Sequence, residues 1–131
     1  MTIERINPPG LPATVGYSHV VATSRTRTIY IAGQVGVDEA GVVVGADHRS
    51  QAERAMRNLL VALGAVGATI DDVVKLNFLV VGVGPEAMAA VFEAAFAVFG
   101  DNLPAPAATL YGVMGLAEPD QLFELDAVAM L

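Results

Sequence analysis

The sequence predicts an α+β fold in which a mixed β-sheet carries two helices packed on one face. Two observations indicate this fold. Runs with β-strand patterns surround two stretches of helical period, and their order along the chain is strands, helix, strand, helix, strands. A chain of 131 residues has room for one hydrophobic core. We therefore expect residues 1–131 to form a single domain.

Five β-strands are predicted from runs of β-branched and alternating apolar residues. The runs 17–23 and 28–37 flank a short polar stretch, which predicts a hairpin. The run 73–81 alternates strongly, and strands at about 108–113 and 122–130 finish the chain. In the last strand, alternate residues form one apolar face and one half-acidic face. We expect a neighbouring subunit to cover the half-acidic face.

Two helices are predicted between these strands. The first begins at Asp47 or Ser50, with a capping box from Ser50, and its apolar face consists of Ala52, Ala55, Met56, Leu59, Leu60 and Leu63. The second begins at Pro85 and ends at Gly100. Its apolar stripe is predicted to consist of Met88, Val91, Phe92, Ala95, Phe96 and Phe99.

The composition favours an oligomer. A hydrophobic fraction of 54% together with 13 glycines exceeds the roughly 45–50% apolar content of ordinary soluble domains. We expect a subunit interface to cover the surplus. A membrane-spanning segment is not expected, because Pro, Gly and polar residues interrupt the longer uncharged stretches.

Charge and cysteine content exclude further classes. A net charge of -7 with no cluster of Lys and Arg disfavours nucleic-acid binding. The chain has no cysteine, and its first residues do not resemble a secretory signal, so we expect a cytoplasmic location. The only histidines, His19 and His48, have no carboxylate at ligand spacing. No metal site is therefore predicted.

Six short motifs in order along the chain resemble those of the RidA/YjgF (reactive intermediate deaminase) family. They are Ile-Asn-Pro at 6–8 with Gly-Tyr at 16–17, Tyr-Ile-Ala-Gly-Gln-Val at 30–35, Gln-Ala at 51–52, Asp-Val-Val-Lys at 72–75, and the closing run 122–129. The resemblance implies a chorismate-mutase-like subunit in a barrel-shaped homotrimer, with ligand clefts between adjacent subunits. It also implies hydrolysis of small enamines and imines to keto acids and ammonia without a metal or cofactor.

The family's site residues carry over only in part. By the resemblance, Tyr17 corresponds to the pocket tyrosine and Glu124 to the glutamate that directs the attacking water. The family's arginine, which holds the substrate carboxylate in a Pro-Ala-Arg motif, is replaced by Ala108, and a cleft asparagine on the second helix by Ala89. A bidentate arginine–carboxylate contact contributes roughly 1.5–3 kcal/mol. A small anionic substrate is therefore expected to bind weakly.

Each remaining candidate has an ordinary structural interpretation as well. Glu124 is either a catalytic carboxylate or an interface residue, and Tyr17 either a hydrogen-bond donor to substrate or a packed side chain. Thr109 either contacts a ligand or is a plain strand threonine. Gln34, directly after Gly33 at the edge of the candidate cleft, either offers its amide to a ligand or closes a β-bulge. Arg25 and Arg27 are not expected to replace the missing arginine, because they lie at the predicted hairpin tip.

Three hypotheses of function follow. The first is a RidA-like enamine or imine deaminase, or a related catalyst, acting on a metabolite that is neutral or larger than 2-aminoacrylate. The second is a non-catalytic trimer that holds a small molecule in clefts between its subunits. The third, a purely structural or chaperone-like trimer, is supported only by the apolar surplus.

Overall fold

The computed structural model describes the whole chain except the side chain of Asn102. The strands are β1 Ile3–Ile6, β2 Val20–Thr23, β3 Thr28–Val35, β4 Val73–Val81, β5 Ala107–Val113 and β6 Phe123–Met130. The helices are α1 His48–Gly64 and α2 Pro85–Phe99, and short 3-10 turns cover Ile70–Asp72 and Gly100–Asn102. Within the described part of the chain, neither helix has the length and hydropathy needed to cross a bilayer.

Four strands form a mixed sheet in the order β3-β6-β4-β5. β6 is antiparallel to both of its neighbours, whereas β4 and β5 are parallel and are joined through α2. Both helices pack on one face of this sheet, where their apolar residues share a core with Leu76, Phe123 and Leu125. The predicted α+β architecture is therefore confirmed, and the sheet has one face covered by helices and one helix-free face.

The hairpin predicted between the runs 17–23 and 28–37, which contain β2 and β3, is wrong. β2 pairs with β1 in a separate two-stranded sheet, and β3 pairs instead with β6 at the far end of the chain. Residues 24–27 connect the two sheets, and Arg25 among them is held by the carboxylate of Asp72 and the carbonyl of Met130. A β-rich pattern identifies strands but does not identify their partners. β1, which precedes the proline-rich opening, was not predicted.

Both helices occupy their predicted positions, but two details differ. The N-cap of α1 is Asp47, whose carboxylate accepts a 2.7 Å hydrogen bond from the backbone N–H of Ser50, so the capping box predicted from Ser50 is wrong. In α2 the predicted stripe is too wide, since Phe92 and Phe96 are 59% and 69% exposed. α2 carries alanine and phenylalanine around most of its circumference, so periodicity alone does not identify its buried face.

Candidate functional site

A cavity of about 730 Å³ lies between α2, β5 and the segment that precedes β2. Most of its wall is apolar and comes from residues such as Phe78, Val91 and Leu110. Tyr17, Ala108 and Thr109 are the sequence-predicted site residues that contribute to it. The cavity therefore collects three of the predicted residues around one apolar space.

The segment carrying Tyr17 is fixed against the start of β5. The buried hydroxyl of Ser18 donates a 2.6 Å hydrogen bond to the carbonyl of Ala105, and its backbone N–H donates to the carbonyl of Pro106. The ring of Tyr17 packs edge-on against His19, with ring centroids 5.6 Å apart. The hydrogen bonds of the neighbouring Ser18 thus hold Tyr17 at the cavity. His19 packs against the tyrosine ring at the same place.

Ala108 lies on the helix-covered face of β5. It is the register partner of Leu76, a core residue, and its side chain contributes to the cavity wall. Ala89, which was predicted to share the cleft, is exposed on α2 and is not among the described lining residues. Phe92, one turn further along α2, lines the cavity instead, together with Phe96. Both phenylalanines were predicted to belong to the buried stripe of α2. They lie one and five residues after Val91, a spacing that places them on a different side of the helix, and this spacing was the available signal in the sequence.

Glu124 lies on the helix-free face of the sheet, in contact with Gly33. It is the register partner of Val35 on β3 and of Leu79 on β4. A β-carbon at position 33 would lie 2.3 Å from Oε2 of Glu124, so a residue larger than glycine would displace this carboxylate from its position. The register of β3 shifts between Ile31 and Gln34, which forms a bulge at this contact. Gly33 on β3 therefore leaves the space in which the side chain of Glu124 lies.

Gln34 contributes to this bulge rather than to the apolar cavity. Its Nε2 donates a 3.1 Å hydrogen bond to the carbonyl of Ala32, two residues earlier. Its side chain also borders a shallower depression of about 350 Å³ beside α1. Gly33 thus leaves room for Glu124 from the neighbouring strand, Gln34 bonds to the backbone beside it, and the described lining of the larger cavity includes neither residue.

Polar side chains pair across the strands of the helix-free face. Asn77 donates a 2.8 Å hydrogen bond to Asp126, and the ammonium of Lys75 donates at 2.8 Å to the hydroxyl of Thr109. Among the described residues, Oδ1 of Asn77 is buried without a hydrogen-bond partner. Asp126 is thus hydrogen-bonded to a neighbouring strand of the same subunit.

The cavity and Glu124 belong to different parts of one subunit. Ala108 is on β5 and Glu124 on β6, with β4 between them, which separates the two strands by roughly 10 Å. Their register partners on β4, Leu76 and Leu79, are three residues apart and so lie on opposite faces of the sheet. Within one copy of the chain, Glu124 is therefore directed away from the cavity that holds Tyr17.

A buried glutamine that was not predicted to be a site residue fixes the beginning of β6. Gln51, fully buried in the first turn of α1, accepts a 2.7 Å hydrogen bond from the N–H of Leu122 and donates to the carbonyls of Gly45 and Asp120. The sequence signal that could have identified it was its position, one residue before the apolar face of α1 begins. Gln51 thus fixes the position of the backbone at Leu122, two residues before Glu124.

Arg25 is engaged elsewhere and does not replace the missing arginine. Its guanidinium binds Asp72 and the carbonyl of Met130. Burial opposes ionisation of Asp72, but hydrogen bonds from the N–H of Thr69 and from Arg25 outweigh it, so the pKa of Asp72 lies below its usual range. No group of three or more His, Asp or Glu side chains with the arrangement of a metal site occurs among the described residues.

Comparison with known proteins gives concordant matches. Residues 9–131 match the family described as Endoribonuclease L-PSP. A 2-iminobutanoate/2-iminopropanoate deaminase of Rattus norvegicus is 35% identical over 121 residues, which cover 91% of this chain and 83% of that protein. The crystal structure of YyfB from Yersinia pestis, a protein of unknown function of the conserved Rid protein family, is 36% identical, covers all of both chains and superposes with a TM-score of 0.91. RidA from an Antarctic Psychrobacter is 28% identical, with 98% of this chain and 99% of that chain covered and a TM-score of 0.69.

Proposed function

The chain belongs to the Endoribonuclease L-PSP family, which contains the RidA/YjgF proteins, and on that premise we propose that it is an enamine or imine deaminase. The observation that carries the proposal is the carboxylate of Glu124, held above Gly33 on a strand where Phe123 and Leu125 are fully buried. A carboxylate held in one place by backbone contacts is suited to directing water and transferring protons.

The proposed reaction is the hydrolysis of a C=N bond. Water attacks the carbon of the protonated imine while Glu124 accepts one of its protons, which forms a carbinolamine. Glu124 then returns that proton to nitrogen, and as the C–N bond breaks it accepts the hydroxyl proton and passes it to the departing ammonia, so that a carbonyl compound and ammonium leave. Oxygen, nitrogen and protons balance with water as the only co-substrate and no oxidation state changes, so the proposed step requires no redox cofactor.

We place the complete site between copies of the chain. Within one subunit Glu124 and most of the Tyr17 cavity lie on opposite faces of the sheet, and Thr109 on the edge strand is the one described lining residue that shares the face of Glu124. We therefore expect an active site that uses both to combine Glu124 of one copy with the cavity of another. The barrel-shaped homotrimer implied by the family resemblance provides such clefts, with the helix-free faces of three sheets turned towards one another. Exposed apolar residues on this surface, such as Tyr30 and Tyr111, favour the same assembly.

The substitution at Ala108 restricts the substrate. Without an arginine at this position the cavity offers no bidentate partner for a carboxylate, which favours an imine that is neutral or larger than 2-aminoacrylate. The same loss supports a second candidate, a trimer that binds a small metabolite in these clefts without converting it. The experiment below separates the two.

The remaining expectations concern partners and location. Arg25, Arg49 and Arg57 are engaged with acidic side chains, and the net charge is -7, which disfavours binding of a phosphate backbone despite the family's name. We propose a single-domain protein without a nucleic-acid or membrane partner. A cysteine-free chain suits the cytoplasm.

The test compares two carboxylates on the same face of β6. Glu124→Gln is expected to lower imine hydrolysis by about a hundredfold or more, because the amide does not accept the proton. Asp126→Asn, two residues away, is the matched control and is expected to retain most of the activity. Ammonia release from enzymatically generated imines is the measurement. No acceleration by the wild-type protein across acidic and neutral imines would leave the binding protein as the conclusion.

A further inference from the structure

The wall of the Tyr17 cavity is more apolar and aromatic than water addition to an imine requires. Phe92 and Phe96 lie one helical turn apart on α2 and border the cavity although more than half of each side chain is exposed. Phe78 and Leu110, register partners on β4 and β5, contribute to the same wall. Exposed aromatic surface around a concave space favours a ligand that removes it from water.

The charge of the cavity points in the same direction. Asp101 is the only charged side chain among the described residues that line it. A substrate carboxylate at Ala108 would lose hydration, find no cationic side chain among the described lining residues, since the Lys75 ammonium is bound to Thr109 on the helix-free face, and meet a second negative charge. A neutral or cationic ligand meets none of these costs, and aromatic faces attract cations.

The size of the cavity exceeds what the smallest imines require. Its volume of about 730 Å³ falls within the roughly 300–1,000 Å³ typical of pockets for drug-sized molecules. A three-carbon imino acid fills only a small part of this space. An aromatic or branched side chain on the imine carbon occupies the space beside Phe92 and Phe96.

Resting on the proposed function, we infer that the substrate is an imine or enamine that carries an aromatic or branched alkyl group and no carboxylate. Such a compound arises when a primary amine, rather than an amino acid, is oxidised at its C–N bond. Its protonated form is a cation that the phenylalanine rings and Asp101 stabilise. Water adds to the C=N bond, the C–N bond breaks, and an aldehyde or ketone and ammonium are released.

Binding of stable analogues tests the ligand class without requiring turnover. Phenylacetamide is a planar, uncharged analogue of an aralkyl imine, and phenylpyruvate adds the carboxylate. Titration calorimetry with the intact oligomer is expected to give at least about tenfold tighter binding for phenylacetamide. Equal or tighter binding of phenylpyruvate, or of pyruvate, would overturn the inference.

Two variants assign the preference to the cavity. Phe96→Ala is expected to weaken phenylacetamide binding by about tenfold, because apolar contact is lost. Val61→Ala, which truncates an exposed apolar residue on α1, is the control and leaves the affinity unchanged. Ala108→Arg is expected to reverse the preference towards phenylpyruvate. If Phe96→Ala instead dissociates the oligomer without changing relative affinities, the aromatic residues serve an interface and the inference is wrong.

A set of four imines separates this inference from the proposed function. Oxidation of ethylamine, 2-phenylethylamine, alanine and phenylalanine produces the four imines. They carry either a methyl or a benzyl group, each with and without a carboxylate. The imine from 2-phenylethylamine is expected to show the largest acceleration of ammonia release. Fastest turnover of the imine from alanine contradicts the inference and keeps the deaminase. Absence of turnover with all four contradicts the deaminase, and the analogue titration then decides the ligand class alone.

Discussion

The two faces of β6 use alternate residues of one strand for different purposes. Phe123, Leu125 and Ala127 face the helices and are 0%, 0% and 3% exposed, whereas Glu124 and Asp126 between them face away and are half-buried. The first set belongs to the core beneath α1 and α2. The second set carries the carboxylates of the helix-free face.

This difference shows how one short strand separates stability from chemistry. Each apolar residue on the helix side fixes the position of the carboxylate that follows it, because strand geometry couples neighbouring side chains to opposite faces. Changes on the helix side should therefore unfold the protein, whereas a change of Glu124 on the helix-free side should alter activity alone. The predictions below test that separation, from the largest expected effect to the smallest.

The largest effect is expected on the helix side of β6. Leu125→Ala leaves a cavity in the core and should lower the free energy of unfolding by about 2–5 kcal/mol. Glu124→Gln should change it by less than about 1 kcal/mol, because the side chain is partly exposed and similar in shape. Urea unfolding of both variants is the measurement. Comparable losses would show that the two faces are not separate.

A smaller effect, on activity rather than stability, is expected at the contact beneath Glu124. Gly33→Ala places a methyl group where the carboxylate of Glu124 lies and should reduce imine hydrolysis by about 10–100-fold. Gly64→Ala, at a position where an added β-carbon meets nothing, is the matched control. Steady-state rates of both variants decide the prediction, and unchanged activity in Gly33→Ala would mean that the position of this carboxylate does not matter.

The smallest effect is expected at the Arg25–Asp72 contact, which joins the beginning of β4 to the end of β6 outside both faces. Because the pKa of Asp72 is lowered in the folded state, its contribution is present above its unfolded pKa of about 3.9 and is lost as the pH falls through the folded pKa.

Asp72→Asn should therefore destabilise the protein by about 1 kcal/mol at neutral pH, with the difference from wild type shrinking towards zero in acid. Urea unfolding of both proteins across this pH range is the measurement. A difference that stays constant with pH would show that ionisation of Asp72 does not stabilise the fold.

The sequence allowed the regular elements to be predicted where one face is apolar and the other polar. The alternation in Val73–Val81 and Phe123–Met130, and the spacing of Ala52 to Leu63, each match an observed strand or helix. Pairing was beyond reach for β2 and β3, because their partners lie at opposite ends of the chain and local patterns carry no information about them.

The candidate site could be predicted only as separate residues. Tyr17, Ala108 and Glu124 follow from motif resemblance, but their division between two faces of the sheet depends on strand order and register. The aromatic wall was missed because Phe92 and Phe96 fit a helical stripe as well as Val91 does. In an alanine-rich helix only tertiary packing decides which apolar residues are buried.

Subunit mixing tests the central claim, that the site is divided between copies, most directly. Glu124→Gln removes the carboxylate, and Ala108→Trp fills the cavity, so each variant alone should be nearly inactive. Co-expression in equal amounts should restore about a quarter of the wild-type activity, because that share of the subunit boundaries pairs an intact Glu124 with an intact cavity. Activity no higher than the mean of the two separate variants would place the whole site within one subunit and contradict the account.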